Sequence, residues 1–391
     1  MAHFVRPLAL AESLDAARYD VHFYAPGRYS RYLHNKTFAT GELASMPGER
    51  FLENLSKGRP LFPAGTIRDY VGQDRKLIRD IRPDLVIGDM RLSLPISARL
   101  EGSLYAIIFN AYWSPFAKPR TVVPSMPLTR FLPPRRFGAL YRATEPLVNR
   151  LHAGEMNTVR REFGIPDLPP DFRVMYTEGD HVLYADVPEF TPTFHPPKNH
   201  HYIGICDWTP PVETPGWWDR MISDPKRKVF VSLGSSGPLQ ALPALLRALS
   251  KLPVSVVIST SGRQMTTEPG AYTADLLPFT ETATASAIVV SHGGSGGVYP
   301  AIAAGTPVLG IPSNADQHLS SAILEESGAG LFIRVEEASE TRLLQSLEKL
   351  LTEPQYSQRA SEWKTVFARY DSGELFRKFL DETLGEGVSA V

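Results

Sequence analysis

Short apolar runs alternate with stretches of helical spacing along most of the chain. Runs rich in β-branched and aromatic residues predict buried strands at 21–25, 83–89, 105–109, 182–185, 229–233, 254–258 and 287–290. Apolar residues three or four positions apart predict helices between many of these runs. Strands that alternate with helices are typical of parallel sheets with right-handed crossovers. The pattern therefore predicts an α/β fold with doubly wound parallel sheets.

The 391 residues are enough for two such domains, each with its own core. Several prolines and tryptophans fall together within 207–224, which favours an interdomain connection there. We expect a first domain over 1–206, a linker over 207–225 and a second domain over 226–369. The last helices are predicted at about 342–351 and 355–384.

A glycine-rich turn between a predicted strand and a predicted helix is the most informative stretch. Residues 291–297 are Ser-His-Gly-Gly-Ser-Gly-Gly, and an alanine run at 301–304 and a strand at 308–311 follow. Such a turn exposes backbone N–H groups at a helix N-terminus, where the helix dipole adds to their attraction for phosphate. The predicted phosphate site consists of His292, Gly293, Gly294, Ser295, Gly296 and Gly297.

The loop after the next strand carries Asp316 and Gln317. In open parallel sheets, ligands bind beyond the carboxyl ends of the strands, so this loop and the glycine turn should share an edge. A carboxylate only accepts hydrogen bonds, whereas an amide both donates and accepts. The pair suits a ligand rich in hydroxyl groups.

Two other interpretations of the glycines stay open. Gly294 and Gly296 begin a dinucleotide fingerprint, and Asp316 lies about where its ribose-binding acid would be. Tyr299, however, occupies the position of the third glycine. A turn that needs small residues only for packing would require no ligand at all.

Charge and cysteine content narrow the class of protein. The chain has 41 basic and 42 acidic residues, which argues against nucleic acid as the main partner. Cys206 is the only cysteine, so a disulfide framework is excluded. No apolar run approaches the ~18 residues of a spanning helix, and no signal-peptide pattern opens the chain. We expect a cytoplasmic protein, monomeric or homodimeric.

The stretch 292–317 resembles the donor signature of family 1, UDP-glycosyltransferase-like enzymes of the GT-B fold, of the bacterial natural-product type. In that family a His-Gly-Gly turn holds the nucleotide diphosphate, and an Asp/Asn-Gln pair holds sugar hydroxyls. The resemblance implies two Rossmann-like domains that face each other across a cleft, with a final helix, here 370–391, that crosses back to the first domain. It assigns the diphosphate to the glycine turn and the sugar to Asp316 and Gln317.

The same resemblance assigns further donor contacts. Residues 232–235 resemble a Ser-x-Gly-[ST] element that faces the diphosphate, which makes Ser235 a diphosphate ligand. Leu277 and Pro278 lie where the family packs against the base. Pro300 is a departure, because the family often has Glu or Gln there to bind the ribose. A 2′-deoxy nucleotide such as dTDP would miss that contact less than UDP.

Alignment of the Leu-Ala-Leu-Ala run at 8–11 with the family's first helix places His3 on the catalytic histidine. Asp89 matches the acid that orients it. A histidine is suited to take a proton near neutral pH, and a carboxylate on its far nitrogen stabilises the imidazolium. The strand that precedes this helix in the family has no counterpart in the sequence. We therefore expect on the order of 10 to 15 further residues before Met1, including a strand of ~5–6 residues.

The resemblance implies an inverting glycosyltransferase that moves a sugar from a UDP- or dTDP-sugar to a hydroxyl of a lipophilic small molecule. No cofactor is implied, and no metal, because an Asp-x-Asp pair is missing from the sequence. Three alternatives remain: a sugar-nucleotide epimerase, a non-catalytic nucleotide-sugar binder and a glycolipid synthase at the membrane surface. The five basic residues within 116–137 are the one hint of peripheral membrane contact.

Overall fold

A computed structural model describes residues 2–120, 122–125, 134–210, 212–234, 237–265 and 270–385. The chain forms two compact units. The first unit comprises Met1–Pro119, Leu140–Trp208 and Tyr370–Val391, and the second comprises Arg120–Ala139 and Thr209–Arg369.

Helices and strands alternate through the first half of the chain. They are α1 (Ala2–Glu12), β1 (His22–Ala25), β2 (Ala39–Glu42), α2 (Gly48–Ser56), α3 (Ala64–Ile81), β3 (Leu85–Asp89), α4 (Leu94–Glu101), β4 (Leu104–Phe109), α5 (Pro134–Glu162), α6 (Phe172–Tyr176), β5 (His181–Tyr184) and β6 (His200–Tyr202).

The described strands of the first unit lie in two sheets. β1 pairs with β2, and β3, β4, β5 and β6 follow one another in a second sheet, with every pair parallel. β4 is buried from Tyr105 to Phe109, because it is covered on both faces. Parallel pairing brings the carboxyl ends of β3, β4 and β5 to one edge of this sheet, where Asp89 is the last residue of β3.

The second half of the chain repeats the alternation. Its elements are α7 (Trp218–Ser223), β7 (Arg227–Ser232), α8 (Leu242–Leu249), β8 (Val254–Ser259), β9 (Tyr272–Ala274), α9 (Phe279–Thr284), β10 (Ile288–Ser291), α10 (Ser295–Ala303), β11 (Val308–Gly310), α11 (Ala315–Ser327), β12 (Gly330–Phe332), α12 (Glu340–Thr352), α13 (Pro354–Phe367) and α14 (Ser372–Leu384).

The second unit holds a six-stranded parallel sheet in the order β12-β11-β10-β7-β8-β9. β10, near its centre, is buried throughout, as a strand covered by helices on both faces must be. β9 and β12 were not predicted, because three residues at a sheet edge are too short to give a period-two or apolar signal. Short 3-10 helices of three to six residues lie between some of these elements.

The predicted final helix over 355–384 is two helices, so that prediction was wrong in its continuity. α13 ends at Phe367, and α14 begins after Asp371, whose side chain accepts a hydrogen bond of 2.7 Å from the backbone N–H of Glu374. This N-cap starts a new helix. α14 then packs Phe376, Phe379 and Leu380 into the core of the first unit.

Residues 120–125 belong to the second unit, whereas the sequence-based boundary placed them in the first. The backbone N–H of Ser125 donates to the carbonyl of Ser313 at 2.9 Å. The guanidinium of Arg334 donates to the carbonyl of Val123 at 2.9 Å. Backbone contacts of this kind leave no signal in the hydrophobicity pattern. The sequence therefore could not show that residues 120–125 belong to the second unit.

A membrane-spanning helix is not found in the part of the chain that the structure describes, because no helix there is both long and apolar enough.

Candidate functional site

In the first unit, His3 of α1 contacts Asp89 at the end of β3. Nδ1 of His3 lies 2.7 Å from Oδ1 of Asp89. The Asp89 side chain is completely buried, and that of His3 is half exposed. Burial alone would raise the pKa of Asp89, but the charges of Arg6 and His3 and their hydrogen bonds outweigh it and hold that pKa below 3.8. The structure therefore brings together the two residues of the predicted catalytic pair.

The ionised Asp89 determines which nitrogen of His3 carries the proton. A carboxylate can only accept, so the 2.7 Å contact requires a hydrogen on Nδ1. The lone pair of the neutral ring is then on Nε2. In this form the imidazole is ready to accept a proton on Nε2, and Asp89 would stabilise the imidazolium that results.

Arg6, one turn further along α1, is a site residue that the sequence analysis missed. Its Nε donates to Oδ2 of Asp89 at 2.8 Å, and its Nη2 donates to Oδ1 at 2.7 Å. Its Nη1 donates to Oδ1 of Asn110 at 2.6 Å. Nη2 also lies 3.2 Å from Nδ1 of His3. Because both of these nitrogens carry hydrogens in the tautomer above, we regard that last approach as a contact rather than a hydrogen bond.

The network continues along the same edge of the sheet. Asn110 follows β4, and Asp186 follows β5. Nδ2 of Asn110 donates to Oδ2 of Asp186 at 3.2 Å, and the backbone N–H of Ala111 donates to the same oxygen at 2.6 Å. The sequence signal for these residues was their place directly after predicted strands. We call His3, Arg6, Asp89, Asn110 and Asp186 the α1 cluster.

In the second unit, residues 291–297 form the predicted turn between β10 and α10. Gly294 is the N-cap of α10. Gly293 has a φ of +79°, and a Cβ on it would lie 2.2 Å from Oγ of Ser321, so the fold itself requires glycine there. Gly296 differs, because, apart from its chain neighbours and the backbone of its own helix, no heavy atom of the described residues lies within 4 Å of the position that its Cβ would take. At Gly296 the turn leaves open space beside helix N–H groups.

His292 places its ring inside this turn. Its Nδ1 is shielded from solvent and has no hydrogen-bond partner among the described residues. Burial lowers the pKa of His292 to about 4; Asp316 opposes that shift and Arg263 adds to it. The ring is therefore neutral at pH 7 and can still donate one hydrogen bond through an N–H. A buried, unpaired ring nitrogen is what a turn that awaits a ligand would leave.

Gly234 lies against the same ring, since a Cβ on it would be 3.3 Å from Cε1 of His292. The guanidinium of Arg263 donates to the carbonyls of Gly234 and Gly237 at 3.1 and 2.8 Å. Arg263 thus holds the carbonyls of Gly234 and Gly237 and brings a positive charge near His292 in the glycine turn. Arg263 was not predicted as a site residue, because it is remote from Gly234 and from the glycine turn in the chain. Ser235, the predicted diphosphate ligand, lies outside the described residues.

Asp316 and Gln317 both lie in the first turn of α11. The side chain of Gln317 forms a capping box with Asn314, whose Oδ1 accepts from the backbone N–H of Gln317 at 3.0 Å. Oε1 of Gln317 accepts from the N–H and the hydroxyl of Ser313, both at 2.9 Å. The amide oxygen is therefore occupied by the protein, so only the NH₂ group of this buried side chain could contact a ligand. Asp316 is half-buried and close enough to influence His292.

The two predicted base-binding residues come directly before α9. Leu277 is buried, and Pro278 is the N-cap of the helix. The side chain of Leu277 therefore belongs to the core, and the backbone of this segment is what a base could contact. Among the described residues, no three His, Cys, Asp or Glu side chains form a group that could hold a metal ion.

Comparison with known proteins gives consistent results. The family described as "Erythromycin biosynthesis protein CIII-like, C-terminal domain" matches residues 239–369. A "PGL/p-HBAD biosynthesis glycosyltransferase" of Mycobacterium tuberculosis (strain ATCC 25177 / H37Ra) is 40% identical over 369 residues, which cover 94% of this chain and 86% of that one. A "PGL/p-HBAD biosynthesis rhamnosyltransferase" of Mycobacterium bovis (strain BCG / Pasteur 1173P2) is 41% identical over 371 residues, which cover 94% and 82%.

Solved structures share the fold at much lower identity. "Spinosyn Rhamnosyltransferase SpnG complexed with thymidine diphosphate" superimposes with a TM-score of 0.69 at 16% identity and covers 97% of this chain and 96% of that one. Two units with parallel sheets and this likeness establish the GT-B fold.

Proposed function

The chain belongs to the glycosyltransferase family that includes the mycobacterial PGL/p-HBAD biosynthesis enzymes, and from that premise we propose how it works. We propose inverting transfer of a sugar from a nucleoside diphosphate donor to a hydroxyl of a lipophilic acceptor, with His3 as the base. The observation that carries this proposal is the 2.7 Å contact between His3 and the ionised Asp89. A protein that only binds nucleotide sugars has no need of a base oriented in this way.

The donor part of the proposal rests on the glycine turn. The open space at Gly296 and the unpaired Nδ1 of His292 suit the diphosphate, which only accepts hydrogen bonds at neutral pH. Pro300 is buried within α10 and offers no polar group to a ribose hydroxyl. We therefore propose dTDP-sugars as preferred donors over UDP-sugars, with Asp316 and the NH₂ of Gln317 on the sugar.

The proposed reaction is a single displacement. The acceptor oxygen forms a bond to the anomeric carbon as the bond from that carbon to the diphosphate oxygen breaks and its electron pair leaves with the diphosphate. Nε2 of His3 takes the hydroxyl proton, and Asp89 stabilises the imidazolium. N–H groups of the glycine turn stabilise the charge on the leaving group. Attack from the side opposite the leaving group inverts the anomeric configuration. We propose that no divalent metal is required.

Aromatic side chains beyond β4 support a lipophilic acceptor. The ring of Trp113 lies 5.4 Å from that of Phe172 and 6.0 Å from that of Tyr176. Trp113 follows β4, the strand next to β3, which carries Asp89, and Phe172 and Tyr176 lie on α6. Tyr176 is buried, whereas Trp113 and Phe172 are only partly buried and could present apolar ring surface to an acceptor.

A donor screen followed by a transfer assay tests the proposal. dTDP- and UDP-sugars are compared by thermal shift, where a ligand at 100 times its Kd stabilises by ~2.7 kcal/mol. We expect dTDP-sugars to stabilise more, and transfer to phenolic or alcoholic lipids to continue in EDTA. Donor binding without any transfer would make the protein a binder. Release of free nucleotide without acceptor would point to an epimerase or hydrolase.

A further inference from the structure

We infer that Arg6 is a positioning residue for the base, and that its guanidinium holds the Asp89 carboxylate in the orientation that fixes the proton of His3 on Nδ1. The catalytic consequence rests on the proposed function. The structural consequence, the tautomer of His3, does not depend on it.

Two parallel hydrogen bonds join the guanidinium of Arg6 to the carboxylate of Asp89. Nε of Arg6 donates to Oδ2 of Asp89 at 2.8 Å, and Nη2 donates to Oδ1 at 2.7 Å. Two parallel bonds fix the plane of a carboxylate, whereas a single bond would let it rotate. The third nitrogen is anchored on Asn110 at 2.6 Å. Arg6 therefore connects β3 and the end of β4 and sets the direction in which Oδ1 faces His3.

The positive charge of Arg6 favours the ionised form of Asp89. Asp89 is completely buried, and burial raises the pKa of a carboxyl group. The attractions of Arg6 and His3 reverse this effect. Without Arg6, a larger part of the burial effect would remain, and Asp89 would bind a proton at higher pH. A protonated Asp89 could donate to Nδ1 and would no longer select the tautomer with its lone pair on Nε2.

Other groups around Arg6 and Asp89 do not take over this role. Burial raises the pKa of Cys206 to about 12 and that of Tyr105 well above 10, so both are neutral at pH 7. Tyr112 and Asp186 also face this region, and Asp186 adds negative rather than positive charge. The pKa of Arg6 itself is raised, because Asp89 outweighs the effect of its burial.

The test compares Arg6→Met and Arg6→Lys with Arg160→Met. Arg160 is a matched control, because it is equally buried in the same unit and donates to Glu178 at 2.6 Å and to the carbonyl of Pro166 at 2.7 Å. Two quantities are measured: the tautomer of His3, from ¹⁵N NMR of histidine-labelled protein assigned with His3→Gln, and kcat and KM as functions of pH.

We expect wild type and Arg160→Met to hold the proton of His3 on Nδ1. In Arg6→Met we expect a mixture of tautomers, a fall in kcat of at least about tenfold, a donor KM within about twofold of wild type, and an acidic limb of the pH profile that moves to higher pH. Arg6→Lys keeps the positive charge but loses the two parallel hydrogen bonds to Asp89. We therefore expect the acidic limb of the pH profile to stay in place, kcat to fall and His3 to show a mixture of tautomers.

An unchanged tautomer and an unchanged acidic limb in Arg6→Met would overturn the inference. If Arg6→Met does not fold, Arg6→Lys decides, and a wild-type kcat with a single tautomer in that variant would overturn it. A wild-type protein that transfers no sugar would refute the proposed function alone, since the NMR comparison still decides the role of Arg6.

Discussion

The α1 cluster and the glycine turn satisfy their polar groups in opposite ways. In the α1 cluster, the buried charges of Arg6 and Asp89 are paired within the protein. In the glycine turn, His292 is neutral and its Nδ1 has no partner among the described residues. The contrast agrees with the roles that we propose, a base in the first region and a binding site for the donor in the second.

The helices of the two regions, α1 and α10, nevertheless share a sequence pattern in their first two turns. α1 and α10 each carry a site residue at their second position, His3 and Gly296, and a proline four residues later, Pro7 and Pro300. Proline has no N–H, so the carbonyl of each site residue loses its usual partner in the helix. The first turn of each helix is therefore held less by its own helix than by its surroundings.

The largest effect should come from the charge of Asp89. We expect Asp89→Asn to lower kcat by about 10²–10⁴-fold, because the amide no longer enforces the tautomer or stabilises the imidazolium. Donor affinity, measured by calorimetry, should stay unchanged. Asp74→Asn is the matched control, because Asp74 is also buried and accepts from Arg91 at 2.7 Å. Equal losses of kcat in the two variants would mean that Asp89 only supports the fold.

The next effect concerns the open space at Gly296. We expect Gly296→Val to weaken donor binding by about 10- to 100-fold, equivalent to ~1–3 kcal/mol, because the side chain would fill the open space that we propose for the diphosphate. Gly72→Val in α3 is the control, since its Cβ also meets no described atom within 4 Å. A folded Gly296→Val protein with wild-type donor affinity would contradict the phosphate assignment. Gly294→Val is a weaker test, because its Cβ would lie 2.9 Å from Nε2 of His292.

Some residues of the candidate site could be predicted from the sequence, and others could not. The glycine turn was predictable because an apolar strand, small residues and an alanine run are adjacent in the chain. His3 and Asp89 were found only through the family resemblance. Arg6 could not be recognised, because a charged residue on a helix is usually exposed, and burial was the informative fact. The role of Arg263 depends on the fold, which brings it to the turn at Gly234.

Gln317 is the instructive case between these extremes. Asn-x-x-Gln before a helix is a capping-box pattern, but at Asn314 and Gln317 only the sugar-binding interpretation was drawn from the sequence. The structure shows the cap and leaves the sugar contact as a prediction. A residue type that suits two roles cannot be assigned from its chemistry alone.

The two roles separate in a third prediction. We expect Gln317→Ala to lower the free energy of unfolding by about 0.5–2 kcal/mol through the lost cap, and to weaken donor binding as well. Asp316→Ala should weaken binding of the sugar nucleotide by ~1–3 kcal/mol with little effect on stability. Binding of the bare nucleoside diphosphate should barely change in Asp316→Ala. If it falls as much as that of the sugar nucleotide, Asp316 does not bind the sugar.

The last effect should appear in the pH dependence of stability. The pKa of His292 is lowered to about 4 in the folded protein, against 6.5 for an unperturbed histidine. Above pH 6.5 neither state binds the proton, so there is no effect. Between pH 6.5 and about 4 the unfolded chain binds a proton that the folded protein does not, so stability falls as the pH falls, by up to about 1.4 kcal/mol per pH unit. Urea denaturation of wild type and His292→Gln at pH 7.5, 6 and 5 measures this slope. The variant should lose stability less steeply below pH 6.5, in keeping with a neutral His292 in the turn. Parallel slopes would show that burial does not lower the pKa of His292 in the folded protein, and the contrast between the turn and the α1 cluster would then fail.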